Sequence, residues 1–218
     1  MPLQRRALLD CFCSALQPPD RKGLQLFLGR WRQRSCDHSW HATKEMDRPM
    51  SRIVALDSET TGLSHKQGHR IIEIGAVEMI DGRITGRQFH TFLQPQRRVD
   101  PYAQRVHGIS DAMLVGKPLF SNKAVELLEF LRGSELVAHN ATFDVGFLDH
   151  ELRLAGHTVA LAHHCRVTCS LKIAQQRWPG QPNKLDDLLQ RLGIPGERGL
   201  HGALKDAHLL AQVIPHLR

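Results

Sequence analysis

The sequence predicts an α/β domain, a mixed β-sheet flanked by helices, preceded by an N-terminal extension. Three observations predict it. First, strand-length runs rich in apolar residues occupy Arg52–Ser58, Arg70–Ile80 and Arg83–Leu93, and the hairpin dipeptide Asp81-Gly82 separates the second from the third. Second, the short strand Glu135–His139 lies between helix-length segments, so a meander of three strands passes into alternating helix and strand. Third, composition shifts near residue 50, from a basic stretch interrupted by Pro18-Pro19 to regular apolar patterning.

In chain order, Leu8, Leu9, Phe12 and Leu16 suit one amphipathic helix, and Leu24 to Trp31 a second. Asp10 interrupts the apolar run, so no secretory signal is expected. Met50-Ser51-Arg52 sits directly before the first strong strand. Two readings of residues 1–49 therefore stand side by side: a basic extension of the protein, or a stretch upstream of a true start at Met50. The boundary falls at 49/50 in both. Beyond the hairpin, Ser121–Leu131 reads as a helix with Ser121 as N-cap. Thr142–Leu154 reads as a helix ending near Gly156, and Val167–Arg177, Leu185–Leu192 and Ala203–Leu217 as three more.

The bulk numbers bound the function. The chain has 218 residues, 41% hydrophobic and 23% charged, with no apolar run long enough to span a bilayer. Net charge is +7, but residues 1–49 hold 9 Lys/Arg against 5 Asp/Glu while the rest hold 20 against 17, so the main domain is nearly balanced and total charge argues little for nucleic acid. Cys11, Cys13, Cys36, Cys165 and Cys169 form no disulfide framework, which fits a reducing cytoplasm. His163, His164, Cys165 and Cys169 lack the second ligand pair of a structural zinc site.

Three clusters carry chemistry. Asp57-Ser58-Glu59 ends the first strand, and residues two apart in extended chain face the same side, so both acids can address one place. Paired carboxylates of this kind suit Mg²⁺ or Mn²⁺, although Asp-x-Glu alone usually marks a solvated strand end. His139-Asn140-Ala141-Thr142-Phe143-Asp144 lies where a strand gives way to a helix. Asp144 there is either a third carboxylate for the same site or an acid complementing the helix dipole. His201-Gly202-Ala203-Leu204-Lys205-Asp206 is the third. On one helix five residues turn through about 500°, leaving the two side chains roughly 140° apart, so His201 and Asp206 converge better if His201 precedes the helix.

In this order the clusters resemble the histidine branch of the DEDD exonuclease superfamily, and within it the proofreading epsilon-subunit family of bacterial DNA polymerase III. The resemblance runs through LDSETTG, HRIIEIGAVE, VDPYAQRVHGISD, AHNATFD, WPGQPNKLDDL and LHGALKDA, over about residues 51–212. It implies a ribonuclease H-like sheet and 3′–5′ hydrolysis of DNA ends, single-stranded or frayed, with release of nucleoside 5′-monophosphates. It also implies two divalent cations, Mg²⁺ or Mn²⁺, bound by Asp57, Glu59, Asp144 and Asp206, with His201 as general base. Asn140, Phe143 and His107 match positions that line the nucleotide site, which Asp57 and Glu59 also touch; Tyr102 lies near its edge. Ser58 stands where Thr is frequent, and Tyr102 and Cys169 where close relatives often carry acids. The polymerase III catalytic subunit is the implied partner, although the family member that docks on it has a long C-terminal tail and this sequence stops at Arg218. Two other readings stay open: an RNA-trimming exoribonuclease of the oligoribonuclease or ribonuclease T kind, and a non-catalytic replication scaffold.

Overall fold

Residues 51–196 and 199–218 are described by the computed structural model; the two helices expected before residue 50 lie outside them. Strand β1 (Arg52–Thr60) is central because both its faces are apolar. Ile53 and Ala55 point to one side and Val54 and Leu56 to the other, all of them buried. On one side of β1 lie β2 (Ile71–Ile80) and β3 (Arg83–Phe92), antiparallel and joined at Asp81-Gly82, where both residues take positive φ. On the other side β4 (Glu135–Ala138) pairs parallel with β1, and β5 (Arg166–Cys169) parallel with β4, giving the order β3-β2-β1-β4-β5.

Helices cover both faces. Val54 and Leu56 pack with α3 (Phe120–Leu131) and α4 (Ala141–Leu154), whereas Ile53 and Ala55 pack with α5 (Ser170–Arg177), α6 (Leu185–Leu192) and α7 (Ala203–Leu217). Between β3 and α3 run two short helices, α1 (Pro101–His107) and α2 (Asp111–Leu114). None of the described helices is long and apolar enough to cross a membrane. This is the expected α/β architecture, with two local corrections. Val167–Arg177 is not one helix: its first residues form β5, where the β-branched Val167 pairs with Leu136 of β4, and the helix starts at Ser170. Ser121 does not cap α3, which begins one residue earlier at Phe120. The Asn122 side chain instead accepts the Leu119 N–H at 3.1 Å.

Far from the end of β1 that carries Glu59, a buried ion pair ties α3 to the sheet. Glu78 of β2, 1% exposed, accepts from Arg52 at 2.7 Å and Arg87 at 2.8 Å, and Arg52 also donates to the carbonyl of Phe130 at 2.6 Å. The α3 carbonyls thereby gain the donors that a helix C-terminus lacks.

Candidate active site

The acids gather at the end of β1. Asp57 and Glu59 continue the row begun by Ile53 and Ala55, so they face the side covered by α7; Ser58 continues the row of Val54 and Leu56, facing α4. Each side receives one further carboxylate. From α7 comes Asp206, fully buried, and from α4 comes Asp144, 2% exposed, whose Oδ1 accepts the Ser58 hydroxyl at 2.7 Å. Ligand atoms of Glu59, His201 and Asp206 all lie within 4.8 Å of one another. His201 stands in the loop before α7, with Nδ1 3.7 Å from Asp206 Oδ2. The structure thus joins Asp206 and His201 to Glu59 directly, and Asp144 through the residue between the two β1 acids.

Burial is expensive for charge. It pushes the Asp144 carboxyl up to about 7, against the opposing pull of the Ser58 hydrogen bond and nearby backbone N–H groups. A set of nearly buried oxygen donors with one imidazole fits a hard divalent cation, which would lower these acids' proton affinity again.

Two residues absent from the sequence expectations hold α7 in place. Gly75 of β2 sits opposite Asp57 in the sheet, and a Cβ on it would lie 2.2 Å from the backbone nitrogen of Leu204. The helix start therefore packs on bare backbone. Glu73, paired in register with Glu59 and 5% exposed, accepts the Ala203 N–H at 3.1 Å through Oε2 and meets His90 Nε2 at 2.8 Å through Oε1. It caps α7 from across the sheet. The signal in HRIIEIGAVE was a buried acid and a glycine inside a strand, each costly without a partner.

The remaining expected residues line the surroundings. His107 ends α1 and is 5% exposed. Its Nδ1 accepts the Ile109 N–H at 3.0 Å, which places the proton on Nε2, a buried donor with no acceptor among the described residues. Burial lowers its pKa, reinforced by His201 and opposed by the Thr60 backbone and Glu73. Asn140 takes a left-handed conformation, φ 73°, at the entry to α4, and with Thr142, Phe143, Phe147, Leu63 and His65 lines a cavity of about 360 Å³. Tyr102 does not enter that cavity. It stands on α1, with Leu63 in a second cavity of about 230 Å³. Cys169 ends β5, half-buried.

A ribonuclease H-like sheet with an acid-rich strand end is the architecture of a nuclease. The chain belongs to the RNase_T exonuclease family, which matches residues 54–214. Within it, the chain is 49% identical over 168 residues to DNA polymerase III subunit epsilon of Pasteurella multocida, covering 75% of this chain and 66% of that one. The Escherichia coli K12 epsilon subunit is 47% identical over 174 residues, 77% and 72% of the two chains. The chain thus spans about two thirds of these relatives' length. Among solved structures, exonuclease X in complex with 5′ overhanging duplex DNA superposes with a TM-score of 0.59 at 29% identity, over 77% of this chain and 90% of that one. A 3′-exonuclease recognising a histone mRNA stem-loop reaches 0.66 at 17% identity, over 78% and 64%, which shows shared fold. The described domain is therefore a 3′–5′ exonuclease domain of the epsilon type.

Proposed function

We propose that this exonuclease removes nucleotides one at a time from DNA 3′ ends, in replication proofreading beside a bacterial DNA polymerase III catalytic subunit in the cytoplasm. The approach of Glu59, His201 and Asp206 to within 4.8 Å, with Asp144 hydrogen-bonded beside them, carries the reading. DNA is the favoured substrate because relatives at 47–49% identity are polymerase III subunits.

Asp57, Glu59, Asp144 and Asp206 would hold two Mg²⁺ or Mn²⁺ ions. When bound, such ions activate a water and offset the negative charge that builds on a phosphodiester in hydrolysis. The protein's own part is positional. β1 presents two acids from one strand, and α4 and α7 bring one each. An imidazole can take the attacking water's proton close to neutral pH; His201, in the loop between Gly199 and Gly202, would fill that role. His107 would donate its buried Nε2–H to the substrate, and Asn140 and Phe143 would border the terminal nucleotide, Phe143 by stacking. Reaching the cavity requires an unpaired end, so frayed or mismatched termini are removed faster.

The test compares 5′-labelled single-stranded DNA and RNA of one sequence, with wild type, Asp57→Ala and Asp206→Ala. Stepwise shortening of DNA from its 3′ end by wild type and its abolition in both folded variants is the expected result. Unchanged turnover in Asp57→Ala would overturn the mechanism. Faster attack on RNA would move the substrate class to RNA. Co-purification with the polymerase catalytic subunit tests the partner.

A further inference from the structure

His201 stands on a loop whose own sequence gives it little rigidity. Gly199 and Gly202 flank the pair Leu200-His201. Neither is a glycine for want of space, since a Cβ built on either meets nothing within 4 Å among the described residues. Gly202 is also extended, φ −161°, a conformation open to any residue. Glycine at such positions leaves the backbone many accessible states and makes it costly to fix. A general base must nevertheless be held within about 0.5 Å of its working position.

The hold comes from the end of α1. His201 N–H donates to the Val106 carbonyl at 3.1 Å. Leu200 lies over Gly108, whose φ of 75° ends α1, and a Cβ on Gly108 would stand 2.6 Å from Leu200 Cδ1. That helix end is itself fixed. Gly108 N–H donates to the Gln104 carbonyl at 2.7 Å, and Ile109, 3% exposed, packs with Ile72 of β2, Val99, Ala103 and Leu114. Leu200 remains 62% exposed, so its side chain adds little to the core. What its contact with Gly108 does is fix the residue directly before His201.

We propose that Leu200 is a positioning residue for His201, an assignment that rests on the reading of His201 as the general base. Gly108 is then a glycine twice over: its φ ends the helix, and its bare Cα makes room for Leu200. With Leu200 seated there, the Val106 carbonyl can hold the His201 N–H and the imidazole stays beside Asp206. With Leu200 unseated, the flanking glycines let the loop swing and the base leaves the site.

The test is a double-variant cycle read by single-turnover digestion of 5′-labelled single-stranded DNA, with enzyme in excess so that slow variants are measurable. Leu200→Ala is expected to melt close to wild type and to release nucleotide about tenfold more slowly, the equivalent of losing the contacts of about two methylene groups, with DNA affinity little changed. Leu200→Met, of similar volume, should restore most of the rate. In a His201→Ala protein, Leu200→Ala should change the remaining rate little, because a residue that acts through another then has nothing to act on. An equal loss with His201 present and absent overturns the assignment. So do a full rate in Leu200→Ala, failure of Leu200→Met to rescue, and a loss confined to DNA affinity, which would make Leu200 a substrate contact. Absence of nucleotide release by wild type, or a wild-type rate in His201→Ala, would instead overturn the reading of the site, so the two failures are distinct.

Discussion

At the scale of single residues, the site is governed by what burial does to a carboxylate. Asp144 is held at about 7 in the metal-free protein, above its ordinary value of 3.8. A folded-state pKa raised above the unfolded one means that the folded chain binds the extra proton between roughly pH 4 and pH 7. That group's stabilisation is full below pH 4 and is lost as pH rises through 7. Melting temperatures measured in EDTA across this window should fall more steeply with rising pH for wild type than for Asp144→Asn, and parallel profiles would contradict the assignment. Mg²⁺ or Mn²⁺ at neutral pH should raise the wild-type melting temperature by preferential binding to the folded state, and much less in Asp144→Asn. Calorimetric titration would show protons released as the ion binds, and fewer of them above pH 8.

At the scale of elements, the position of α7 decides whether the site exists. Its first turn rests on Gly75 and is capped by Glu73. Gly75→Ala puts a methyl carbon where the Leu204 backbone lies, 2.2 Å away, so the helix must shift and carry Asp206 and His201 with it. A displacement of about 1 Å can cost on the order of a hundredfold in rate. The expected outcome is a folded protein with kcat reduced by about that factor; retained kcat would mean that the helix start does not govern the site. Glu73→Ala should lower kcat similarly while KM changes less. These two supports show where the sequence was legible and where it was not. Strand alternation puts Asp57 and Glu59 on one side, and helix geometry sets His201 ahead of α7, but each pattern is commonplace alone; only the motifs taken together in order, by resemblance, gave these residues their expected roles. Gly75 and Glu73 look like ordinary members of an apolar strand, because their partner lies 130 residues away from Glu73 and no local pattern records it. β5 was hidden for a related reason: four residues running straight into a helix share its apolar spacing, and only pairing with β4 separates them.

At the scale of the whole molecule, every residue assigned to the chemistry falls between Asp57 and Asp206. We propose that the domain begins near residue 50, and a chain starting at Met50 should fold and keep most of its turnover on short oligonucleotides. If residues 1–49 contact phosphates, their removal flattens the salt dependence of DNA affinity by about 0.7 in log–log slope per lost contact on single strands. Affinity measured across a salt series for both lengths decides this, and an insoluble shorter chain would place the boundary earlier. The docking of α7 against β2 has a consequence in time. A ribosome delivers β1, with Asp57 and Glu59, long before Asp206, and the bond from Ala203 to Glu73 can close only after Ala203, 130 positions beyond Glu73, has emerged. If Asp206 holds metal as proposed, a growing polypeptide surrounded by messenger and ribosomal RNA acquires hydrolytic capacity only when α7 arrives.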